Sequence, residues 1–219
     1  MTDQTSLVFD LPVQGNRRPV EPIVRSAELE QVGDVAYRWS ASRAWGAGPM
    51  IVWNCLNASY ADGKKDDPTM WRMIGFSYRW GFGSMAVVNV YPFVTPDTKE
   101  LARWRKAWRP KDHARDGFPP WPISQSPFSA WLHNQDVVRD LLLRANTCVA
   151  AWGNGASGED VETFLHAVTH RYDVVQMQDY PLGIEWKCLG TTQSGAPTHP
   201  LARGKHRVPD DAQLVEWKR

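Results

Sequence analysis

With 219 residues, 42% of them hydrophobic and 22% charged, the chain has the composition of one globular domain and not of a disordered polymer. Twenty-five Lys and Arg against 24 Asp and Glu leave a formal charge of +1, which excludes a histone-like polycation and confines any nucleic-acid surface to a local patch. No run of about 18 apolar residues suggests a membrane span. The first residues lack the basic start and apolar core of a secretory signal. Cys55, Cys148 and Cys188 are too few and too scattered for a four-cysteine metal site, and read as buried thiols of a cytoplasmic protein. Twelve tryptophans are more than core filling calls for.

Residues 1–34 mix Pro, Gly, Arg and acids without periodicity and read as an N-terminal arm, followed by a single α/β domain over 35–219. Residues 35–45 alternate aromatic or apolar with polar side chains, as an edge strand does. Residues 50–56 form a nearly continuous apolar run, as expected of a strand covered on both faces. A polar loop over 57–67 precedes a helical pattern opened by Pro68 and closed near Gly81. A second buried strand is expected at 85–90, a loop at Tyr91 and Pro92, and a helix at 96–108. Residues 109–127 hold five of the sixteen prolines and read as an irregular insertion. Helical spacing returns at 128–145, a third apolar strand at 148–152, an amphipathic helix at 160–169 and a fourth strand at 186–189. A short final helix is expected from Asp210.

The alternation of strand, loop and helix predicts an α/β fold, a three-layer sandwich around a mainly parallel sheet of four to five strands. In such sheets ligands bind outside the carboxyl ends of the strands. The polar residues there are Asn57, Ser59, Tyr60, Asp62, Asp66 and Asp67 after the first apolar strand, Asn89 within the second, Gly153 and Asn154 after the third, and His199 after the fourth. Taken singly, Asn57 and Asp62 fit loop caps, Asp67 before Pro68 fits a helix N-cap, and His199 fits a surface turn. Asn89 is different, because a buried amide needs partners.

In this order, Asn57-Ala58-Ser59, the helix with Trp71, Val88-Asn89, Trp152-Gly153 and His199-Pro200-Leu201 resemble the motifs of the uracil-DNA glycosylase superfamily over about residues 36 to 204. Together with Asp66-Asp67-Pro68-Thr69 they also resemble an uncharacterised bacterial and phage branch of it. The resemblance implies a DNA N-glycosylase of that fold, with no metal or cofactor, acting as a monomer on double-stranded DNA. It places Asn57 at the water-positioning asparagine, Asn89 at the base edge and His199 at the donor to the departing pyrimidine. Ala58 stands where the family has proline, and Leu201 where it has serine. Ser59 stands where the uracil enzymes carry a tyrosine that blocks 5-substituted pyrimidines. A 5-modified pyrimidine is therefore the expected base, hydroxymethylated or glucosylated cytosine of phage DNA being one candidate, which would make the protein an antiviral glycosylase.

Such hydrolysis needs a placed water, a donor to the leaving base and a grip on the everted nucleotide. Asn57 orients the water, Asp62 (or Asp66 or Asp67) takes its proton or faces the sugar cation, and His199 donates. Asn89 reads the base edge, with Tyr60 and Trp71 as stacking faces. Arg203, Lys205 and Arg207 are expected on phosphates and Leu201 as the wedge filling the vacated stack. A second basic stretch, Arg103 to Arg115 with Trp104 and Trp108, is either a DNA surface or a solvated helix face. Two other functions use the same strand ends: an enzyme of free nucleotides or nucleosides, and a non-catalytic reader of modified DNA. No phosphate-binding loop of the GxxxxGKS kind is present, against an NTPase.

Overall fold

The computed structural model describes residues 18–20, 22–108, 127–156, 158–173 and 178–218. Seven strands form one mixed sheet in the order β1-β2-β4-β3-β5-β8-β9: β1 (Val24–Val32), β2 (Val35–Ala44), β3 (Met50–Ala58), β4 (Ser84–Val94), β5 (Thr147–Ala150), β8 (Trp186–Cys188) and β9 (Val215–Glu216). The central β4-β3-β5-β8 run is parallel, while β1-β2, β2-β4 and β8-β9 pair antiparallel. The sheet is thus larger than the four to five strands expected, because antiparallel strands extend the parallel centre at both ends. A separate hairpin joins β6 (His170–Asp173) to β7 (Gln178–Pro181).

Strand β3 carries an apolar residue at almost every position because both of its faces are covered. Ile51, Trp53 and Cys55 pack with Met70, Met73, Ile74 and Phe76 of helix α1 (Pro68–Arg79). Val52 faces the opposite cluster, which gathers Leu101 and Trp104 of α2 (Thr98–Trp108), Val138 and Leu142 of α3 (Pro127–Arg144), and Phe164 and Val168 of α4 (Gly158–Thr169). Helix α1 starts as its sequence dictates: the Asp67 carboxylate accepts from the Met70 N–H at 2.8 Å and Pro68 occupies the first turn. It stops where Gly81 takes φ of 82°. Nine of the twelve tryptophans (39, 45, 53, 80, 104, 131, 152, 186 and 217) are core residues, so the excess is core filling after all.

Several boundaries differ from the pattern-based expectation. Residues 24–32 of the expected arm are strand β1, paired along their length with β2, so β2 is an interior strand and not an edge. Strand β4 runs on through Tyr91 and Pro92, whose missing N–H falls at irregularities in the pairing with both neighbours. In place of a final helix from Asp210, β9 pairs with β8 and Trp217 is buried. The proline-rich stretch lies outside the described residues up to 126, and Pro127 opens α3.

Covering β2 with β1 buries Arg43 completely. Its Nε donates to Asp66 Oδ1 at 2.6 Å, Nη1 to the carbonyls of Ser42 and Ser26, and Nη2 to the carbonyl of Asp62 at 2.7 Å. Arg25 of β1 donates to the other Asp66 oxygen at 2.8 Å. One carboxylate therefore ties β1, β2 and the 59–67 loop together. Removing one member of a buried ion pair strands the other charge, at about 3–5 kcal/mol. Asp66→Ala is expected to destabilise by that order and Arg25→Ala, whose side chain is 26% exposed, by clearly less. Urea unfolding of the two variants checks this, and equal midpoints for Asp66→Ala and wild type would refute it.

Candidate functional site

A cleft of about 490 Å³ opens at the carboxyl ends of the parallel strands, within the range of about 300–1,000 Å³ usual for small-molecule sites. Its walls include Asn57 and Ser59 at the end of β3, Asn89 of β4, Trp152 to Asn154 after β5, His199 from the loop after β8, and Asp67 at the start of α1. Arg38 of β2 and Cys55 of β3 also line it.

The loops that carry these groups are stitched to one another by backbone bonds. Thr95 N–H donates to the Ala58 carbonyl at 3.2 Å, joining the ends of β3 and β4. Gly153 N–H donates to the Pro197 carbonyl and Thr198 N–H to the Gly190 carbonyl, seating the His199 loop against the end of β5. Gly153 holds φ of 66°, which favours glycine at the turn that brings Asn154 into the wall.

Each polar group has a definite state. The Asn57 amide donates both hydrogens to backbone, at 2.6 Å to the Thr95 carbonyl and 3.1 Å to that of Ala58, so its carbonyl oxygen is what it can present to a ligand or water. The Asn89 side chain is fully buried, and neither its nitrogen nor its oxygen has a partner among the described residues. An unpaired buried amide costs about 1–3 kcal/mol, which a ligand edge with one donor and one acceptor would recover. Asp67 uses one carboxylate oxygen as the α1 cap and accepts from the Ser59 hydroxyl on the other at 2.5 Å. Leu201 N–H donates to His199 Nδ1 at 3.1 Å, which requires that nitrogen to be unprotonated and puts the ring hydrogen on Nε2. Burial lowers the His199 pKa, with the Asp67 charge working against it. Burial likewise pushes the Cys55 thiol up to about 12, only partly offset by the Arg38 charge, so Cys55 is no thiolate nucleophile.

Of the residues singled out from sequence, Asn57, Ser59, Asn89 and His199 thus share the cleft. Asp62 does not line it. Its carboxylate accepts from the Lys64 and Lys65 N–H groups at 2.6 and 2.7 Å, backbone bonds from Lys65 and Lys64 that hold it below the usual carboxylate range. Asp66 is the structural clamp, which leaves Asp67 as the carboxylate of the cleft. Tyr60 is 72% exposed outside it. Trp71 is half-buried against α1 neighbours, with the Arg18 and Arg25 guanidiniums 4.8 and 5.7 Å from its ring, and offers no face to the cleft. Leu201, Arg203, Lys205 and Arg207 are exposed on the segment that follows His199. In the other basic stretch Trp104 is core, and Arg105 pairs with Asp160 at 2.5 Å over the Tyr91 ring, so these two are structural. Arg103 and Lys106 are exposed, while the side chain of Trp108 and residues 109–115 lie outside the described residues. Arg38 was not foreseen: an arginine alternating with aromatics on a supposed edge strand reads as solvent-facing. Among the described residues, no group of three or more His, Cys, Asp or Glu side chains is placed to hold a metal ion, and no helix is long and apolar enough to cross a membrane.

The chain belongs to the family described as a protein of unknown function, DUF1643, whose model matches residues 38–201. No curated protein and no solved structure matches it.

His199 is neutral in the fold, and its pKa lies below the ordinary 6.5. The unfolded chain therefore takes up a proton there at a pH where the folded chain does not, so stability falls as pH drops below about 6.5 and is unaffected above it. Urea unfolding at about pH 5 and about pH 7.5 should show a smaller loss on acidification for His199→Gln than for wild type. An unchanged loss would mean that His199 is not held neutral.

Proposed function

We propose that this member of the DUF1643 family is a DNA glycosylase that hydrolyses the N-glycosidic bond of a pyrimidine nucleotide everted from the duplex, with a 5-modified base as its substrate. The observation that carries this reading is the meeting of an unpartnered buried amide (Asn89), a carboxylate (Asp67), a neutral histidine with its hydrogen on Nε2 (His199) and a presented amide oxygen (Asn57) in one cleft. The likeness of these motifs and their order to the uracil-DNA glycosylase superfamily supports it, as does the α/β fold with helices on both faces of its sheet.

In this mechanism Asn89 pairs with the base edge, replacing the bonds lost when the nucleotide leaves the stack. Asn57 accepts from a water and orients its oxygen toward the anomeric carbon. As the carbon–nitrogen bond breaks, its electron pair stays on the base and the sugar acquires cationic character. Asp67 faces that cation and accepts the water proton. His199 Nε2–H donates to the pyrimidine oxygen on which charge accumulates, and a neutral donor avoids the desolvation of a second ion. Ser59, with its hydroxyl turned to Asp67, leaves space beside C5 that a tyrosine would fill. The exposed Arg203, Lys205 and Arg207 on the segment that follows His199 favour DNA over a free nucleoside as substrate. A role in defence against phages with modified cytosine follows if that base is the one released.

The test is incubation with duplexes carrying a panel of pyrimidine modifications, with alkali cleavage of the abasic strand and mass analysis of the freed base. His199→Ala is expected to slow single-turnover release about 100-fold, the worth of one well-placed donor, with DNA affinity nearly unchanged. Asp67→Asn should be slowed at least as much, whereas Asp62→Asn should stay within about twofold. Replacing Arg203 and Lys205 by Ala should weaken DNA binding and reduce its salt slope by about 0.9 per contact. No base release, or an equal loss of rate and affinity in His199→Ala, would reject this function.

A further inference from the structure

Arg38 lies in the wall of the cleft and takes no part in the steps above. It is 2% exposed. One guanidinium nitrogen, Nη1, donates to the Ala61 carbonyl at 2.8 Å and reaches that of Ser59 at 3.4 Å, while Nε has no partner among the described residues. Arg43, five residues along the same strand, is equally buried but has Asp66 at 2.6 Å and backbone carbonyls on both terminal nitrogens. No such carboxylate pairs with Arg38 among the described residues; the Asp67 charge acts on it only through space. A buried guanidinium with no carboxylate and an unpaired N–H is costly, and this one is held in the wall of the cleft. What completes it must bring negative charge or strong acceptors.

We infer that Arg38 is a further catalytic residue, which stabilises the pyrimidine as it departs with the electron pair of the broken carbon–nitrogen bond. This rests on the glycosylase reading. The Ser59 and Ala61 carbonyls fix the guanidinium in advance, so no reorganisation is needed when charge develops. Arg38 exchanges no proton: water oxygen bonds to the anomeric carbon, the water proton passes to Asp67, and the base leaves as an anion between the Arg38 charge and the His199 N–H. A merely structural role, holding the 59–61 loop, would leave the charge of the base without influence.

Two measurements separate these roles. Binding of free 5-fluorouracil to the wild-type protein, followed by calorimetry as pH is raised through ring ionisation, should tighten about tenfold, and in Arg38→Gln it should not. In single-turnover release from duplexes carrying 5-hydroxymethylcytosine, 5-hydroxymethyluracil or 5-fluorouracil, Arg38→Gln should lose about 100-fold on the poorest leaving base and progressively less on the more acidic ones. Its DNA affinity should stay within about threefold, and Arg38→Lys should regain part of the rate. Wild-type binding that is absent or indifferent to ionisation overturns the inference even if Arg38→Gln fails to fold, and so does a defect uniform across leaving bases. If the wild-type protein binds the anion yet releases no base from any duplex, the glycosylase reading falls, and with it the catalytic role of Arg38.

Discussion

The arrangement of this molecule depends on one buried carboxylate. Asp66 holds Arg43 and Arg25 at its two oxygens, and through Arg43 it reaches the backbone of the loop between β3 and α1. A buried ion group of this kind adds little net stability compared with an apolar core, but it permits very few alternative geometries. Here it sets the path of the chain from the end of β3 to the start of α1. The next residue, Asp67, then has no freedom except to cap the helix and face the cleft. Two adjacent aspartates thus have opposite fates: one neutralises buried arginines, the other stands beside a histidine and a serine.

The same constraint explains why the cleft can keep polar groups unpaired. Parallel strands β4, β3 and β5 end side by side, and loops bonded to one another close over them. With that frame in place, the Asn89 amide and Nε of the Arg38 guanidinium keep their positions without hydrogen-bond partners among the described residues. Unsatisfied groups are expensive, and they concentrate at sites where a ligand supplies the missing half of the interaction. The network from Ser59 through Asp67, with His199 and Arg38 under the same electrostatic influence, alternates acceptor and donor across a site that holds both signs of charge. Charge separation in a reacting substrate is what such a site can stabilise.

Much of this was legible in the sequence, and the two buried arginines of β2 were missed for one reason. The apolar run of β3 predicted a strand covered on both faces, and Asp67-Pro68 predicted the start of α1, because both are local consequences of burial and capping. The grouping of Asn57, Asn89 and His199 followed from a rule of topology: residues after parallel strands meet at one end of the sheet. The position of β1 was not legible, since residues 24–32 carry mostly exposed and half-buried side chains and no apolar face strong enough to announce a strand. That omission made β2 an edge, and so hid Arg38 and Arg43 as ordinary surface charges.

The sequence by itself determined the alternation of strand and helix, the caps and stops of α1, and which polar residues stand at strand ends, because each is set by interactions within a few residues. Only the tertiary structure decided which of three neighbouring aspartates serves the cleft, that Trp71 and Tyr60 stand outside it, and that an arginine of β2 belongs to it. Those choices turn on which charges are taken out of water together, and desolvation is a property of the packed whole that no local pattern encodes.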